Sequence, residues 1–279
     1  MSTPTNVLIV SKGHDYDHSS FLGMFADCDD LEVTLVEHPA AAVVLNDASA
    51  ARYNVVFFYD MCGVPGLALP HDGSEGSGHP TAEYEQAITA LLARGTGLLL
   101  VNHATVSWAN WPLWRDISGS SFMLTEGELR GKVVPGSGYR GGHGPLANAT
   151  VQLRPAQSAS EQHPVLAGIK DGFEVTDELY LKTAAYGDRV QPLLTADYAF
   201  IGENFSPPPL ASEAEQAGWD HPPGSNLVAW LNAAGKSPVV VSDIGDSPVA
   251  YNNPNYRRFI VNACRWLATN EARQWVLQG

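Results

Sequence analysis

The chain contains 279 residues, of which 44% are hydrophobic, enough for the core of one large α/β domain. Sixteen basic and thirty acidic residues give a formal net charge of −14, which argues against nucleic acid or an anionic membrane surface as the main partner. These values favour a single domain over residues 1–279 that binds a neutral or cationic small molecule.

Neither a targeting segment nor a cysteine framework is indicated by the sequence. No apolar run reaches the roughly 18 residues of a membrane-spanning helix, and the start of the chain lacks the basic and apolar regions of a signal peptide. Cys28, Cys62 and Cys264 are widely spaced without a CxxC pair, so neither disulfides nor a thiolate zinc site is indicated. We therefore expect a cytoplasmic protein with free thiols.

In the first half of the chain, runs that suit strands alternate with runs that suit helices. Strands are predicted at 6–10, 31–36, 53–60 and 97–101. Helices are predicted at 21–26, capped by Ser19 or Ser20, at 81–94, and after the fourth strand, where Trp108, Trp111 and Trp114 recur. Segment 61–80 is rich in Gly, Pro and His without any period, so it is predicted to be a long loop.

The second half of the chain differs in composition from the first. From about 118 to 205 the chain is rich in Gly and Pro and carries short alternating runs, which we interpret as a β-rich insertion over the carboxyl edge of the sheet. Further strands are predicted at 193–201, 227–231 and 237–244, and a closing helix at 254–269. The runs around Val7, Val55, Leu99 and Val240 are apolar without alternation, which predicts one central, mostly parallel sheet buried on both faces.

His103 follows the unbroken apolar run 97–101, at the point where the chain is predicted to turn from a strand into a helix. In open α/β sheets, ligands lie beyond the carboxyl ends of such strands. Hydrolases and amidotransferases of this architecture carry a nucleophilic Ser or Cys at this position. An imidazole removes the covalent nucleophile but leaves a group that transfers protons near neutral pH or binds a metal. The helix dipole predicts a neutral His103 at pH 7.

Other polar residues follow the remaining predicted strands, and parallel strands would bring them to the same edge. These are His14 and Asp15 after the first strand, Asp60 after the third and Asp246 after the last. Each alone is equally interpretable as a loop residue that caps a helix or bonds a backbone amide. His143 lies among glycines that would allow close backbone approach to a ligand, or it is an exposed histidine in a Gly-rich turn.

Two further patterns match known motifs only in part. His14 and His18 are four residues apart and would share a helical face as metal ligands, but the residues between them suit a loop. Segment 136–141 matches a dinucleotide fingerprint in form, yet it opens no helix and Pro145 follows soon after, so we reject it.

Several motifs together resemble the trehalose-utilisation (ThuA-like) family, and the resemblance spans nearly the whole chain. Those motifs are Gly13-His14-Asp15, Phe58-Tyr59-Asp60, Val101-Asn102-His103-Ala104, the glycines around His143, His163-Pro164-Val165 with Ala167-Gly168-Ile169, Thr176-Asp177-Glu178-Leu179-Tyr180, and the closing segment 253–266. The chain departs from the family pattern in having Gly245-Asp246 where Gly-His is usual, and in lacking a His-Pro pair near His143.

The resemblance implies a three-layer flavodoxin-like fold of the class I glutamine amidotransferase-like superfamily, without the amidotransferase cysteine. It also implies a role in bacterial carbohydrate catabolism, on glucosides or their 3-keto forms. On this basis we assign proton transfer to His103 and His143, oriented by Asp60 or Glu178. The other groups expected at this edge are assigned to substrate binding, namely His14, Asp15, Trp108, Tyr180 and Asp246.

Three functions remain open at this stage. The first is an enzyme that hydrolyses, eliminates or isomerises a sugar derivative by acid–base chemistry. The second is a metal-dependent version of the same site, with Zn²⁺ or Mn²⁺ held by His103 and His143. The third is a non-catalytic sugar-binding or sensing module in which tryptophans stack on the sugar. The expected partner in each case is a small sugar, and a homo-oligomer is left open.

Overall fold

A computed structural model describes residues 3–46, 48–65, 77–141, 145–159, 163–208 and 211–278. The strands are Thr5–Lys12 (β1), Leu31–Glu37 (β2), Val55–Asp60 (β3), Gly97–Val101 (β4), Gly127–Leu129 (β5), Lys132–Val134 (β6), Gly138–Arg140 (β7), Ala149–Pro155 (β8), Phe173–Asp177 (β9), Leu179–Leu181 (β10), Gln191–Asp197 (β11), Leu227–Ala234 (β12) and Ser237–Ser242 (β13). The α-helices are His18–Leu22 (α1), Ala40–Asn46 (α2), Ala82–Arg94 (α3), Pro112–Ser118 (α4), Glu213–Ala217 (α5), Pro248–Tyr251 (α6), Pro254–Leu267 (α7) and Asn270–Gln278 (α8).

Within the described residues, nine strands form one sheet in the order β2-β1-β3-β4-β13-β12-β11-β8-β9. The pairs from β2 to β13 are parallel, and those from β13 to β9 are antiparallel. This confirms that the four unbroken apolar strands β1, β3, β4 and β13 are parallel neighbours. The sheet as a whole is mixed, so the expectation of a mostly parallel sheet holds only for one half.

The predicted insertion has a different arrangement from the one expected. Its strands β8, β9 and β11 extend the central sheet, and only the short pairs β5-β6 and β7-β10 lie apart from it in the described chain. Burial along β8 alternates between buried and more exposed positions, which is the pattern of an antiparallel strand with one covered face. The alternation seen in the sequence therefore marks the open half of the same sheet.

Two hydrophobic clusters cover the two faces of the parallel half. Alternate residues of β1 enter opposite clusters, Val7 and Ile9 on the α7 face, Leu8 and Val10 on the α3 face. Helix α7 contributes Phe259 and other large side chains to the first cluster. The result is a helix–sheet–helix arrangement in which polar residues are concentrated at the strand ends.

The helices begin at residues that differ in part from the predictions. Helix α3 lies where it was predicted, and Thr81 caps it, with its hydroxyl accepting from the backbone N–H of Tyr84. Helix α1 is capped by Asp17, which accepts from the N–H of Ser20, and neither Ser19 nor Ser20 is the cap. The helix begins at His18, so Ser19 and Ser20 lie within its first turn and Asp17 occupies the cap position. In the described part of the chain, no helix is long and apolar enough to cross a membrane.

Replacing Thr81 by Ala is expected to lower the free energy of unfolding by about 0.5–2 kcal/mol, because the N–H of Tyr84 loses its acceptor. Thr81 is exposed, so loss of packing does not add to the effect. Urea denaturation of the wild type, Thr81→Ala and the matched control Thr81→Ser measures this. A Ser variant as unstable as the Ala variant would contradict the assignment of the cap.

Candidate active site

The turn after β4 places His103 at the carboxyl edge of the sheet. Residues Asn102–Thr105 form a four-residue 3-10 turn, and α4 begins only at Pro112. The strand passes into this 3-10 turn and not into an α-helix, so the helix-dipole argument for a neutral imidazole loses its basis. Asn102 has a φ of 49°, so the strained residue of this strand-to-turn junction is Asn102 and His103 is the residue after it.

A buried ion pair anchors this turn. Lys182 Nζ lies 2.6 Å from Asp243 Oδ2, and both side chains are almost fully buried. Asp243 also accepts from the Thr105 hydroxyl at 3.2 Å, and its backbone carbonyl accepts from Asn102 Nδ2 at 3.0 Å. Burial lowers the pKa of Lys182 and raises that of Asp243, and each charge opposes the shift of the other.

The His103 imidazole lies between two carboxyl groups. Its Nδ1 is 3.6 Å from Asp246 Oδ1, and its Nε2 is 3.5 Å from Glu178 Oε2. Its ring stacks on the ring of His14 with centroids 4.0 Å apart, and His14 Nε2 is 3.6 Å from the same oxygen of Asp246. The side chains of His14 and Asp246 are 14% and 10% exposed, so solvent reaches this group of residues.

Burial and neighbouring charge raise the pKa values of two of the acids. Burial raises the pKa of Glu178 to about 8, and the charge of Asp246 adds to the shift, while a hydrogen bond from Tyr180 opposes it. The Tyr180 hydroxyl lies 2.8 Å from Glu178 Oε2 and 3.0 Å from Asn102 Oδ1. Burial and Asp246 likewise raise the pKa of Asp177 to about 7, against the effect of backbone N–H donors. Glu178 is therefore protonated at neutral pH, close to the His103 imidazole.

The segment that carries Asp246 is fixed by its backbone. Asp177 accepts from the N–H of Gly245 at 2.6 Å and from that of Asp246 at 3.3 Å. Tyr251 donates its hydroxyl to the carbonyl of Asp246 at 2.9 Å. Gly245 has a φ of 130°, and a Cβ there would collide with the Tyr256 hydroxyl. Only glycine fits this position without moving Asp246.

The structure brings together His103, Glu178, Tyr180, His14 and Asp246 of the residues predicted to form the site. Asp15, next to His14, is exposed.

Asp60 and Trp108 have other neighbours. The Asp60 carboxylate lies 3.3 Å from His38 Nε2, and Trp108 is buried against the rings of His38 and Tyr84. His143 lies outside the described residues, as does His71. Gly141, which is described, lies so close to Glu178 that a Cβ there would collide with its carboxyl group.

Two contributions to this site were missed at the level of sequence. Asp177 stands within the quoted Thr176–Tyr180 motif, and its place at the end of a strand beside Glu178 was the available signal. The Lys182–Asp243 pair left no signal, because nothing in the spacing of the two residues indicates that they meet.

Comparison with known proteins identifies the family of the chain. A family model described as trehalose utilisation, ThuA, matches residues 6–267. No curated protein sequence matches the chain significantly.

Solved structures resemble the fold over nearly its full length. A putative ThuA-like protein from Parabacteroides merdae is 16% identical with a TM-score of 0.62, covering 96% of this chain and 91% of that one. A cytoplasmic protein from Salmonella typhimurium is 13% identical with a TM-score of 0.54, covering 94% and 98%. The PurLQS structure from Thermotoga maritima is 11% identical with a TM-score of 0.51, covering 95% and 100%. These likenesses show the class I glutamine amidotransferase-like α/β fold.

Glu178 is expected to make stability depend on pH. Its pKa is about 8 in the folded protein against 4.5 ordinarily, so the folded state binds the proton more tightly. The free energy of unfolding should then fall as pH rises from about 4.5 to about 8, by up to about 1.4 kcal/mol per pH unit for one proton. In Glu178→Gln this fall should be smaller, as measured by urea denaturation at several pH values.

The exposed Glu174, on the preceding strand, provides the matched control. Glu174→Gln should keep the pH dependence of the wild type. Equal slopes for the wild type and Glu178→Gln would contradict the proton on Glu178.

Proposed function

The chain belongs to the trehalose-utilisation (ThuA) family, and from this membership and the geometry of the site we propose that it is an enzyme of carbohydrate catabolism. Its substrate is a glucoside, a disaccharide or the 3-keto derivative of either, and its chemistry is acid–base catalysis. The observation that carries the proposal is the position of the His103 imidazole, with Asp246 facing one ring nitrogen and Glu178 facing the other.

In this proposal His103 is the group that moves protons. A carboxylate facing one ring nitrogen orients the imidazole and stabilises its protonated form, which leaves the second nitrogen to exchange a proton with the substrate. Asp246 supplies that carboxylate at Nδ1. The stacked ring of His14 restricts rotation of the imidazole and provides a second donor or acceptor for a sugar hydroxyl.

Glu178 is proposed to act as the acid. Its raised pKa of about 8 keeps a proton available at neutral pH. Two neighbouring groups in opposite protonation states are the usual arrangement for paired acid and base steps. Tyr180, within hydrogen-bond distance of Glu178, is proposed to bind substrate and to orient this carboxyl group.

The chemistry of the substrate class fits these groups. A keto group at C3 of a sugar acidifies the neighbouring C–H bond, so one base and one acid suffice for elimination or isomerisation. Asp15 remains proposed as a substrate contact, and His143 as a second proton-transfer group. Asp60 and Trp108 are left out of the proposed set, since their side chains pack against His38.

His103→Gln is expected to lower the turnover of a 3-ketoglucoside or glucoside by at least about 10², because glutamine hydrogen-bonds but does not shuttle protons. Binding of the same sugar, measured by calorimetry, should change little. The experiment compares turnover and affinity in the wild type, His103→Gln and the control His18→Gln, whose histidine is exposed.

Near-parental turnover in His103→Gln would remove His103 from the mechanism. Tight binding of the sugar by the wild type without any turnover would instead establish a binding or sensing module.

A metal-dependent form of the site is the second candidate. His14, His103 and Asp246 each offer one ligand atom, and these atoms lie within 4.8 Å of one another. Two histidines and one carboxylate are a ligand set suited to Zn²⁺ or Mn²⁺. The reaction would still require a proton donor, and Glu178 would serve as that donor.

Prolonged treatment with a chelator distinguishes the two forms. We expect the acid–base enzyme to keep its turnover after chelation, with metal content checked by elemental analysis. Loss of turnover in a wild type that circular dichroism shows to be still folded, restored by added Mn²⁺ or Zn²⁺, would establish the metal-dependent form.

A further inference from the structure

A second group of potential ligands lies at the ends of β2 and β3, apart from the residues of the proposed mechanism. It consists of His38, Asp60 and Cys62, whose ligand atoms all lie within 4.8 Å of one another and whose side chains are buried. We propose that these three residues bind a structural zinc ion. This proposal does not depend on the proposed enzymatic activity.

The sheet itself directs the ligands to one place. Side chains alternate between the two faces of a strand, so Asp60 lies on the same face as Phe58, within the cluster on the α3 side. His38 follows Val36 by two residues and lies on that face as well. Because β1 lies between β2 and β3, the two side chains approach each other across the end of one intervening strand.

The distances suit a small, four-coordinate ion. His38 Nε2 and Asp60 Oδ2 are 3.3 Å apart. Ligands about 2.0–2.3 Å from a tetrahedral zinc are separated from one another by about 3.3–3.8 Å. The thiol of Cys62 is held nearby by its backbone, whose N–H donates to Ser107 Oγ at 3.2 Å.

Two of these residues, His38 and Asp60, have buried polar atoms without hydrogen bonds in the described chain. Both carboxylate oxygens of Asp60 and Nε2 of His38 are buried and make no hydrogen bond within the described residues. The Cys62 thiol donates to the carbonyl of Lys12 at 3.9 Å. A buried carboxylate without hydrogen bonds costs several kcal/mol unless a cation compensates it. A bound cation would compensate the Asp60 carboxylate and accept the lone pair of His38 Nε2.

Charge and softness favour zinc over other divalent ions. A thiolate and a carboxylate together balance the two positive charges of Zn²⁺, and a neutral imidazole completes a neutral complex. Such a complex suits a wall formed by the rings of Tyr84 and Trp108. A thiolate ligand disfavours Mg²⁺ and Ca²⁺, which take oxygen ligands.

The depth of the site indicates a structural role. His38, Asp60 and Cys62 are at most 4% exposed, so the ion would be enclosed as the chain folds, and its binding energy would contribute to stability. The ligand group of His14, His103 and Asp246 contains no thiol, which provides a spectroscopic distinction between the two groups.

Cobalt substitution tests the proposal. The full chain, unfolded and refolded with Co²⁺, should bind an ion that shows thiolate-to-cobalt charge-transfer absorption in the near ultraviolet. This absorption should be lost in Cys62→Ser and kept in Cys28→Ser, which removes a half-buried thiol elsewhere. It should also be kept in His103→Gln, because that residue belongs to the other group.

Two results would overturn the zinc site. One is cobalt-refolded wild type without charge-transfer absorption, and the other is absorption that persists in Cys62→Ser. Should Cys62→Ser fail to fold, X-ray absorption spectroscopy of the zinc-loaded wild type decides without any variant. One sulfur at about 2.3 Å, with nitrogen and oxygen at about 2.0–2.2 Å, supports the site, and a zinc environment without sulfur refutes it.

Discussion

The buried ion pair between Lys182 and Asp243 is the interaction on which the arrangement of the site depends. It lies beneath the turn after β4, and Asp243 binds that turn twice, through its carbonyl to Asn102 and through its carboxylate to Thr105. Two buried charges are costly unless they are well paired, and here the Lys182 ammonium also lies 4.6 Å above the Trp230 ring. The pair fixes the direction in which the strained turn presents His103.

Backbone hydrogen bonds also hold the carboxyl groups around His103 close together. Asp177 accepts N–H groups from the segment that carries Asp246, so one buried acid positions another. Burial raises the pKa values of Asp177 and Glu178, and the nearby charge of Asp246 raises them further. The proximity of the acids therefore disfavours their simultaneous ionisation. Glu178 thereby retains its proton next to the His103 imidazole.

The parallel half of the fold and the location of the site could be predicted from the sequence, because unbroken apolar runs and polar strand ends are local signals. The antiparallel half was misplaced, since alternation tells which face of a strand is covered and not which sheet the strand joins. Asp60 illustrates a further limit. The rule that the ends of parallel strands converge does not say on which face a side chain lies. Alternation along β3 directs Asp60 to the α3 side together with Phe58.

Spacing rules fail most where ligands come from separate strands. Cys62 forms no CxxC pair, so its sequence neighbours gave no indication of a metal site, whereas the fold places it beside His38 and Asp60. Ser107 then links this group to the turn of His103, because its hydroxyl lies 2.6 Å from the carbonyl of Asp60 and 3.3 Å from that of His103. The Ser107 hydroxyl therefore connects the backbone at the end of β3 with the backbone at His103. The two groups of residues are distinct in their ligands but share one rigid edge of the sheet.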